Sequence, residues 1–374
     1  MRLRLAAPGL AILIGLWFVR TAEPLGALQS LPGQIADREY WQLINDISER
    51  SGYFNSENFV SNEIGYQKII PALKARVQPE GVYVGVGPEQ NFSFISALHP
   101  RIAFIIDIRR QNLIEHLMYK AIFELSGDRT EFLSRLFSIK RPAGLSAHSS
   151  VDDLFRSFDG AALDMQMYEH NLSEIKDVLI RRHGFALTGA DVTSLEHVYG
   201  TFQQSGTYLN YAIGSKGIDR MPTYSELMRE RDGNNLPQSF LASEENYRVV
   251  RNLETRNLVI PIVGDFAGPK AVREVGRYLR AHDATVSVFY LSNVESYLFS
   301  ESDVWVKFYV NTAILPFDAN SQFVRSLILR RPSSTETFSF TSEELLCPIE
   351  KLMEEFSAGN LTSYRDILDL SSPR

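Results

Sequence analysis

The sequence predicts an α/β protein built on a doubly wound, mainly parallel sheet, and three observations support this prediction. Short apolar runs of the kind that form buried strands alternate with amphipathic stretches of about 10 to 15 residues, which is typical of βαβ units. Glycine-containing turns follow two of these runs, and an aspartate ends another. The 374 residues suffice for one large hydrophobic core or two smaller ones.

The composition is that of an ordinary globular protein, with 44% hydrophobic and 22% charged residues. The net charge is −7 and the sequence has no long run of Lys or Arg, so charge gives it no reason to bind nucleic acid. A single cysteine, Cys347, excludes an intrachain disulfide and a multi-cysteine metal site. No two histidines stand at i, i+4 spacing, and we expect no bound metal.

The first 24 residues differ from the rest of the chain. Arg2 and Arg4 precede an apolar run at residues 5–19, and Arg20 follows it. This run is shorter than a membrane-spanning helix requires and has the length of a signal-peptide core. We therefore expect a signal or uncleaved membrane anchor that tethers the chain and exports the rest. The alternative is an N-terminal segment buried in a cytoplasmic protein.

The remaining chain divides by its periodicity. An amphipathic helix is predicted from Asp37 to Ser51, and another helix from Ser342 to Phe356. Residues 140–250 lack the regular pattern and are too long for an ordinary connection, so we expect a helical insertion there. In chain order the predicted parts are 1–24, the anchor segment; 25–80, a helical lead-in; 81–330, the α/β domain with its insertion at about 140–250; and 331–374, a C-terminal helix and tail.

The strands of the sheet are predicted from apolar runs bounded by turn residues. The last two runs have no helical pattern between them, which predicts an antiparallel pair at the end of the sheet. The predicted strands are Val82–Val84, Ile102–Ile106, Gly184–Gly189, Leu258–Val263, Thr285–Leu291, Val304–Ala313 and Phe323–Leu329.

The most informative stretch is residues 81–110. Its first strand runs into Gly85-Val86-Gly87-Pro88, a helix follows, and the second strand ends at Asp107. Glycines at this turn allow backbone amides to approach a ligand closely. Asp107 stands 22 residues after Gly85, a spacing at which an acid accepts hydrogen bonds from ribose hydroxyls. The unit predicts a nucleoside-type ligand; turn glycines and a strand-capping acid that bind nothing are the alternative.

Ligands of doubly wound sheets lie outside the carboxyl ends of the strands, near the point where the strand order reverses. The candidate residues are taken from those ends and from the segment before the first strand. They are Gly85, Gly87, Glu89, Asn91 and Asp107 for cofactor binding; Asn62, Glu63, Asn293 and Glu295 for the pocket; and Asp265 for catalysis. For Asn62 and Glu63 the alternative is a helix cap.

With these motifs the chain resembles the class I S-adenosylmethionine-dependent methyltransferases over roughly residues 60–330. Gly85-Val86-Gly87-Pro88 stands where that family has its glycine-rich first motif, and Asp107 where it has the ribose-binding acid. Gly264-Asp265-Phe266 stands at the fourth predicted strand end, where the family often has catalytic polar residues. The resemblance implies a Rossmann-like fold, S-adenosylmethionine as cofactor, and Asp265 as the base or orienting residue of a methyl transfer.

Two alternatives remain open. Where a dinucleotide-binding loop has its third glycine, this chain has Pro88-Glu89-Gln90, which disfavours a pyrophosphate, although Arg109-Arg110 keeps a 2′-phosphate ligand as a lesser option. The other alternative is a non-catalytic, membrane-tethered binding or scaffold domain on the same fold. The N-terminal segment favours it, because an exported domain would meet no S-adenosylmethionine. The sequence identifies no substrate.

Overall fold

The chain forms an α/β structure around one mixed, mostly parallel sheet, as seen in a computed structural model that describes residues 30–212, 221–332 and 338–373. The first five strands pair in parallel, and the last two pair antiparallel. The strands are β1 Val82–Gly85, β2 Ile102–Asp107, β3 Val259–Val263, β4 Val286–Ser292, β5 Gln322–Pro332, β6 Phe338–Pro348 and β7 Ser372–Pro373. Their order is β3-β2-β1-β4-β5-β6-β7.

Helices precede, separate and follow these strands. They are α1 Asp37–Ile47, α2 Ile70–Arg76, α3 Gln90–Leu98, α4 Arg110–Leu125, α5 Arg129–Phe137, α6 Val151–Phe158, α7 Met165–Lys176, α8 Gly189–Ser205, α9 Tyr224–Arg229, α10 Glu244–Thr255, α11 Ala271–Ala281, α12 Val294–Leu298, α13 Val304–Thr312, α14 Ile349–Ser357 and α15 Tyr364–Asp369. Shorter turns of other helix types lie at Tyr66–Ile69, Asp177–Arg182 and Gly206–Tyr208.

The predicted α/β class and the antiparallel strand pair are confirmed, but one member of that pair was assigned wrongly. The stretch predicted as strand Val304–Ala313 is helix α13, because Phe308, Tyr309 and Thr312 recur at helical spacing and are its buried side. The true partner of β5 is β6, where the sequence predicted the start of a helix at Ser342. That helix begins only at Ile349 as α14.

A second correction concerns the predicted strand Gly184–Gly189. The residues before Gly189 form an irregular connection, and Thr188 caps the N-terminus of α8 by accepting a hydrogen bond from the Asp191 amide. The strand that ends before Gly264 is therefore the third of the sheet rather than the fourth, and it lies at the sheet edge. The fourth strand, β4, ends at Ser292.

The sheet and the helices between β2 and β3 share one hydrophobic core. Both β1 and β2 are buried along their whole length, as expected for parallel strands covered on both faces. The ring of Phe92 lies 5.2 Å from that of Tyr119, 5.4 Å from Phe123 and 5.4 Å from Phe240. These edge-to-face contacts join α3, α4 and the predicted insertion, so the insertion packs on the sheet.

The predicted anchor at residues 1–24 lies outside the described residues. Of the helices that the structure does describe, none combines the length and the apolar character needed to cross a membrane. The feature of the fold that matters for function is the reversal of strand order at β1. The chain continues from β1 to β2 and β3 on one side, and returns to β4 and β5 on the other.

Candidate functional site

A cavity of about 330 Å³ lies at the carboxyl ends of the first four strands. Its volume falls at the lower end of the range for small-molecule sites. The residues after β1, β2, β3 and β4 all contribute to its wall, together with the loop at residues 53–58 and α12. The side chains and backbone that line it include Tyr53, Phe54, Asn58, Gly87, Asp107, Arg109, Asp265, Phe266, Ser292, Asn293, Tyr297 and Glu301.

The glycine turn after β1 is held from behind by one side chain. The Asn91 amide donates to the carbonyl oxygens of Val86, Gly87 and Pro88 at 3.0, 3.1 and 2.8 Å. Gly87 has φ +80°, a left-handed conformation that glycine adopts without strain. The turn is therefore rigid, and Asn91 supports the cavity wall without lining it.

The other turn glycine, Gly85, is required by packing. A Cβ at this position would lie 2.1 Å from Asn91 Oδ1 and 2.8 Å from the ring of Tyr83. Tyr83 donates its hydroxyl to that same Oδ1 at 2.9 Å. The glycine thus leaves room for the hydrogen bond that fixes Asn91, whereas the sequence pattern had indicated room for a ligand.

Asp107 points its carboxylate at Arg109, two residues away. Oδ1 accepts from the backbone amide and Nε of Arg109, both at 2.9 Å, and Oδ2 accepts from Nη2 at 2.8 Å. The two side chains are 6% and 8% exposed, respectively. Burial disfavours the charged guanidinium, but Asp107 outweighs it and raises the pKa of Arg109. The charge of the predicted ribose acid is thus already balanced.

Arg109 also fixes the aromatic wall of the cavity. Its Nη1 donates to the carbonyl oxygen of Glu57, and its guanidinium carbon lies 5.9 Å from the ring centre of Phe54. Phe54 in turn meets Tyr297 edge to face, with ring centres 5.8 Å apart. Tyr297 is 47% and Tyr53 86% exposed, so aromatic side chains form the rim of the cavity.

Among the described residues, three carboxylates and one cation line the cavity. Arg109 balances Asp107, which leaves Asp265 and Glu301 without an ion-pair partner among the described residues. Asp265 Oδ1 accepts from the Ala267 amide at 2.9 Å, and this bond orients its carboxylate. The neighbouring Arg110 is bound to Asp191. The cavity therefore has a net negative charge.

At the end of β4 the cavity wall contains Ser292 and Asn293. Ser292 has φ +53°, the left-handed region that residues with a Cβ rarely adopt. Its hydroxyl donates to Glu63, a carboxylate buried behind the wall, and Tyr290 donates to the same group. Burial raises the pKa of Glu63, and these two hydrogen bonds oppose it only in part.

Three more predicted residues lie outside the cavity wall. Glu89 is fully buried and accepts from the Ser61 amide at 3.3 Å; burial raises its pKa to about 8. Glu295 faces the other way, into the core, where Arg325 Nε donates to it at 2.6 Å and Tyr309 donates at 2.6 Å. Asn62 is half-buried in the segment before Glu63 and is not part of the wall.

The structure therefore brings together four of the predicted residues, namely Gly87, Asp107, Asp265 and Asn293, in one cavity. The remaining six support the wall or lie beyond it: Asn62, Glu63, Gly85, Glu89, Asn91 and Glu295. No group of three or more His, Cys, Asp or Glu side chains within the described part of the chain is arranged to hold a metal.

Sequence reasoning missed the aromatic wall residues and considered Arg109 only as a ligand for a 2′-phosphate. Arg109 follows the predicted acid by two positions, so their proximity was a readable signal. Phe54 and Tyr297 carry no such signal, because their approach depends on the tertiary fold.

His116 is a packed residue whose Nε2 lies 2.9 Å from the carbonyl oxygen of Gly87, and burial lowers its pKa to about 4.

The comparisons with known proteins concern the whole α/β unit. No curated protein matches this chain. Residues 58–344, which include β1 to β5, most of β6 and every predicted site residue, match the family described as "Domain of unknown function (DUF7790)". The chain belongs to this family.

Proposed function

We propose that the protein binds S-adenosylmethionine in the cavity at the strand ends and acts as a methyltransferase-like protein. The observation that carries this proposal is the convergence of Gly87 and Asp107 on one cavity, at the point where the strand order reverses at β1. This is where nucleotide-type ligands lie in doubly wound sheets. The parallel order β3-β2-β1-β4-β5 also agrees with a Rossmann-like fold.

The charge of the cavity supports a cationic ligand without phosphate. Asp265 and Glu301 lack ion-pair partners within the described residues, whereas Arg109 and Arg110 are each bound to a carboxylate. Among the described residues a phosphate would find no available guanidinium here, and it would face two like charges. A sulfonium ion would be attracted, which favours S-adenosylmethionine over a dinucleotide.

The hydrogen-bonding capacity of Asp107 limits how a ribose would be held. An ionised carboxylate has about four acceptor positions, and Arg109 occupies three of them. One position remains at Oδ2 for a ribose hydroxyl. A single hydrogen bond to a charged group contributes about 1.5–3 kcal/mol, so Asp107 would make a substantial part of the binding energy even with one bond.

Calorimetric titration with S-adenosylmethionine tests the proposal. We expect the wild type to bind and Asp107→Asn, which keeps the shape of the side chain, to bind about 10- to 100-fold more weakly. Asp128→Asn is the matched control, because Asp128 also accepts two hydrogen bonds from one guanidinium, that of Arg141, but lies outside the cavity. No binding by the wild type, or equal affinities of the Asp107 and Asp128 variants, would contradict the proposal.

A second candidate is a binding domain that does no chemistry, tethered or not to a membrane. The engagement of Asp107 by Arg109 favours it, since the acid has one free acceptor position where a ribose offers two hydroxyls. The same titration distinguishes the candidates when the demethylated product, S-adenosylhomocysteine, is included. A methyltransferase binds both compounds in this cavity. A scaffold domain unrelated to methyl transfer binds neither.

A further inference from the structure

Ser292 stands at a structural irregularity that faces the cavity. It is the last residue of β4, and the pairing of β4 with β5 shifts register between Tyr290 and Ser292. Irregularities of this kind redirect a side chain. The left-handed backbone at Ser292, with φ +53°, is unfavourable for a residue with a Cβ and persists only where the surroundings enforce it. The result is a serine that lines the cavity and whose hydroxyl donates to Glu63.

Glu63 has the features of a proton-binding group. Its side chain is 1% exposed and has no cationic partner among the described residues. A buried carboxylate without a cation is unstable as a charged group and readily takes a proton. Ser292 is its link to the cavity, since neither Tyr290 nor Ser326, the other hydroxyl groups beside Glu63, lines the wall.

The groups that face Glu63 come from several elements. Its acidic neighbours strengthen this tendency, whereas the hydroxyl groups of Ser292, Tyr290 and Ser326 oppose it. The groups are Tyr83 of β1, Glu89 after the glycine turn, Tyr211, Tyr290 and Ser292 of β4, Ser326 of β5, and Glu344 of β6. Glu89 and Glu344 are themselves buried carboxyls, and burial raises the pKa of each to about 8. The described neighbours of Glu63 that ionise are therefore acids and phenols, and none of them is a cation that would favour its negative charge.

The site has two separate ends. Asp107 ends β2 and Ser292 ends β4, and β1 lies between these strands. At a spacing of about 4.8 Å between neighbouring strands, the two ends are about 10 Å apart. A nucleoside held at Asp107 therefore leaves the Ser292 end for the reacting groups.

We propose that Glu63 accepts the proton of the methyl acceptor through the Ser292 hydroxyl, and that the acceptor is therefore an amine or a hydroxyl compound. This inference rests on the proposed function, because the methyl donor it names is S-adenosylmethionine. Ser292 touches the acceptor, whereas Glu63 acts only through Ser292 and is a positioning residue.

The lone pair of the acceptor nitrogen or oxygen forms a bond to the methyl carbon, and the carbon–sulfur bond breaks with its electron pair going to sulfur. Ser292 Oγ takes the proton that the acceptor loses, while the proton of the Ser292 hydroxyl moves to Glu63. Glu63 must be ionised when the step begins, and the positive sulfonium of the donor makes it so, because a nearby cation favours the charged carboxylate.

This sequence of events predicts how many protons the protein releases when it binds the methyl donor, and this number can be measured without knowing the methyl acceptor. Binding of S-adenosylmethionine should release up to about one proton from Glu63. Binding of S-adenosylhomocysteine should release none, because its sulfur carries no charge. Calorimetric titration of the wild type in buffers of different ionisation enthalpy measures both counts. Glu63→Gln should bind both ligands and abolish the difference. Glu344→Gln, which changes a buried carboxyl beside Glu63 that does not reach the cavity, should keep it.

The outcomes separate this inference from the function on which it rests. If neither ligand binds the wild type, the proposed function fails and the inference fails with it. If both ligands bind and release the same number of protons, only the inference is overturned, and this comparison needs no variant that might misfold. A difference that survives in Glu63→Gln also overturns it, since the proton then comes from another group.

Discussion

Two buried carboxylate–arginine pairs in this protein have similar chemistry and different surroundings. Glu295 and Arg325 are 1% and 0% exposed, and Tyr309 also donates to Glu295. Asp107 and Arg109 are 6% and 8% exposed and line the cavity. The first pair joins α12 to β5 across 30 residues, whereas the second joins residues two apart.

The difference separates a stabilising role from a binding role. A pair between distant elements loses its partner when the chain unfolds, so the native state depends on it. A pair within one turn closes no long loop and holds few distant elements together. Asp107 and Arg109 mainly arrange the end of β2 and its charge, which is what a ligand in the cavity would meet. Both acids stand near strand ends, and the sequence pattern alone assigned both to the site.

The largest expected effect is the loss of charge in the core pair. Glu295→Gln leaves Arg325 as an uncompensated buried cation, and removing one partner of such a pair destabilises a protein by about 3–5 kcal/mol. Asp107→Asn is the matched change at the cavity, where water can reach the freed guanidinium, and we expect it to cost about 1–2 kcal/mol. Urea unfolding of both variants measures the two free energies. Equal losses would show that the two pairs do not differ in role.

Glu89 is a buried carboxyl that no arginine pairs with among the described residues, and its protonation makes the stability of the fold depend on pH. Burial raises the pKa of Glu89 from its usual 4.5 to about 8. Between these values the unfolded chain is deprotonated at this residue while the folded chain holds its proton, so the free energy of unfolding falls as pH rises. The stabilisation is fully present below about pH 4.5 and is lost as pH passes through about 8.

Glu89→Gln imitates the protonated carboxyl at every pH. We expect the variant and the wild type to have equal stability near pH 4, and the variant to be more stable by about 4 kcal/mol at pH 8. Urea unfolding across this pH range is the measurement, and Asp128→Asn is the control. In the folded wild type Arg141 lowers the pKa of Asp128, so the stability difference between this variant and the wild type should change with pH in the opposite direction. A constant difference between variant and wild type would mean that Glu89 is ionised in the folded protein.

The parts of the fold that the sequence predicted are those with local causes. Apolar runs located β1, which glycines bound, and β2, which Asp107 ends, and Gly87 is left-handed after β1. Helix α13 was mistaken for a strand because Val304-Trp305-Val306 and Phe308-Tyr309 are typical of strands. Its helical form depends on packing, including the hydrogen bond from Tyr309 to Glu295. The pairing of β6 with β5 is, by contrast, local, because Pro332 lies opposite Phe338 in a hairpin of consecutive strands; the helix predicted from Ser342 concealed it.

The site was predictable to the same extent. Strand ends identified Asp107, Asp265 and Asn293, because parallel strands bring their carboxyl ends to one edge. The roles of Glu63 and Glu295 were not readable, since each depends on a residue far along the chain. Glu63 meets Ser292 across 229 positions, and its carboxylate is one hydrogen bond away from the cavity. A prediction from strand ends alone cannot distinguish a wall residue from its support.

The smallest effect concerns the backbone at Ser292, and it tests whether the cavity end of β4 is strained. Glycine adopts a left-handed backbone without strain, whereas alanine does not, and both substitutions remove the Ser292 hydroxyl. We therefore expect Ser292→Gly to be more stable than Ser292→Ala by about 1 kcal/mol. At Ser296, within α12, the order should reverse by about 0.5–1 kcal/mol because glycine is unfavourable in a helix. Urea unfolding of the four variants gives both differences. If alanine is the more stable residue at both positions, the backbone at Ser292 is not strained. The left-handed conformation would then be no sign that the surrounding structure forces the Ser292 hydroxyl into its position.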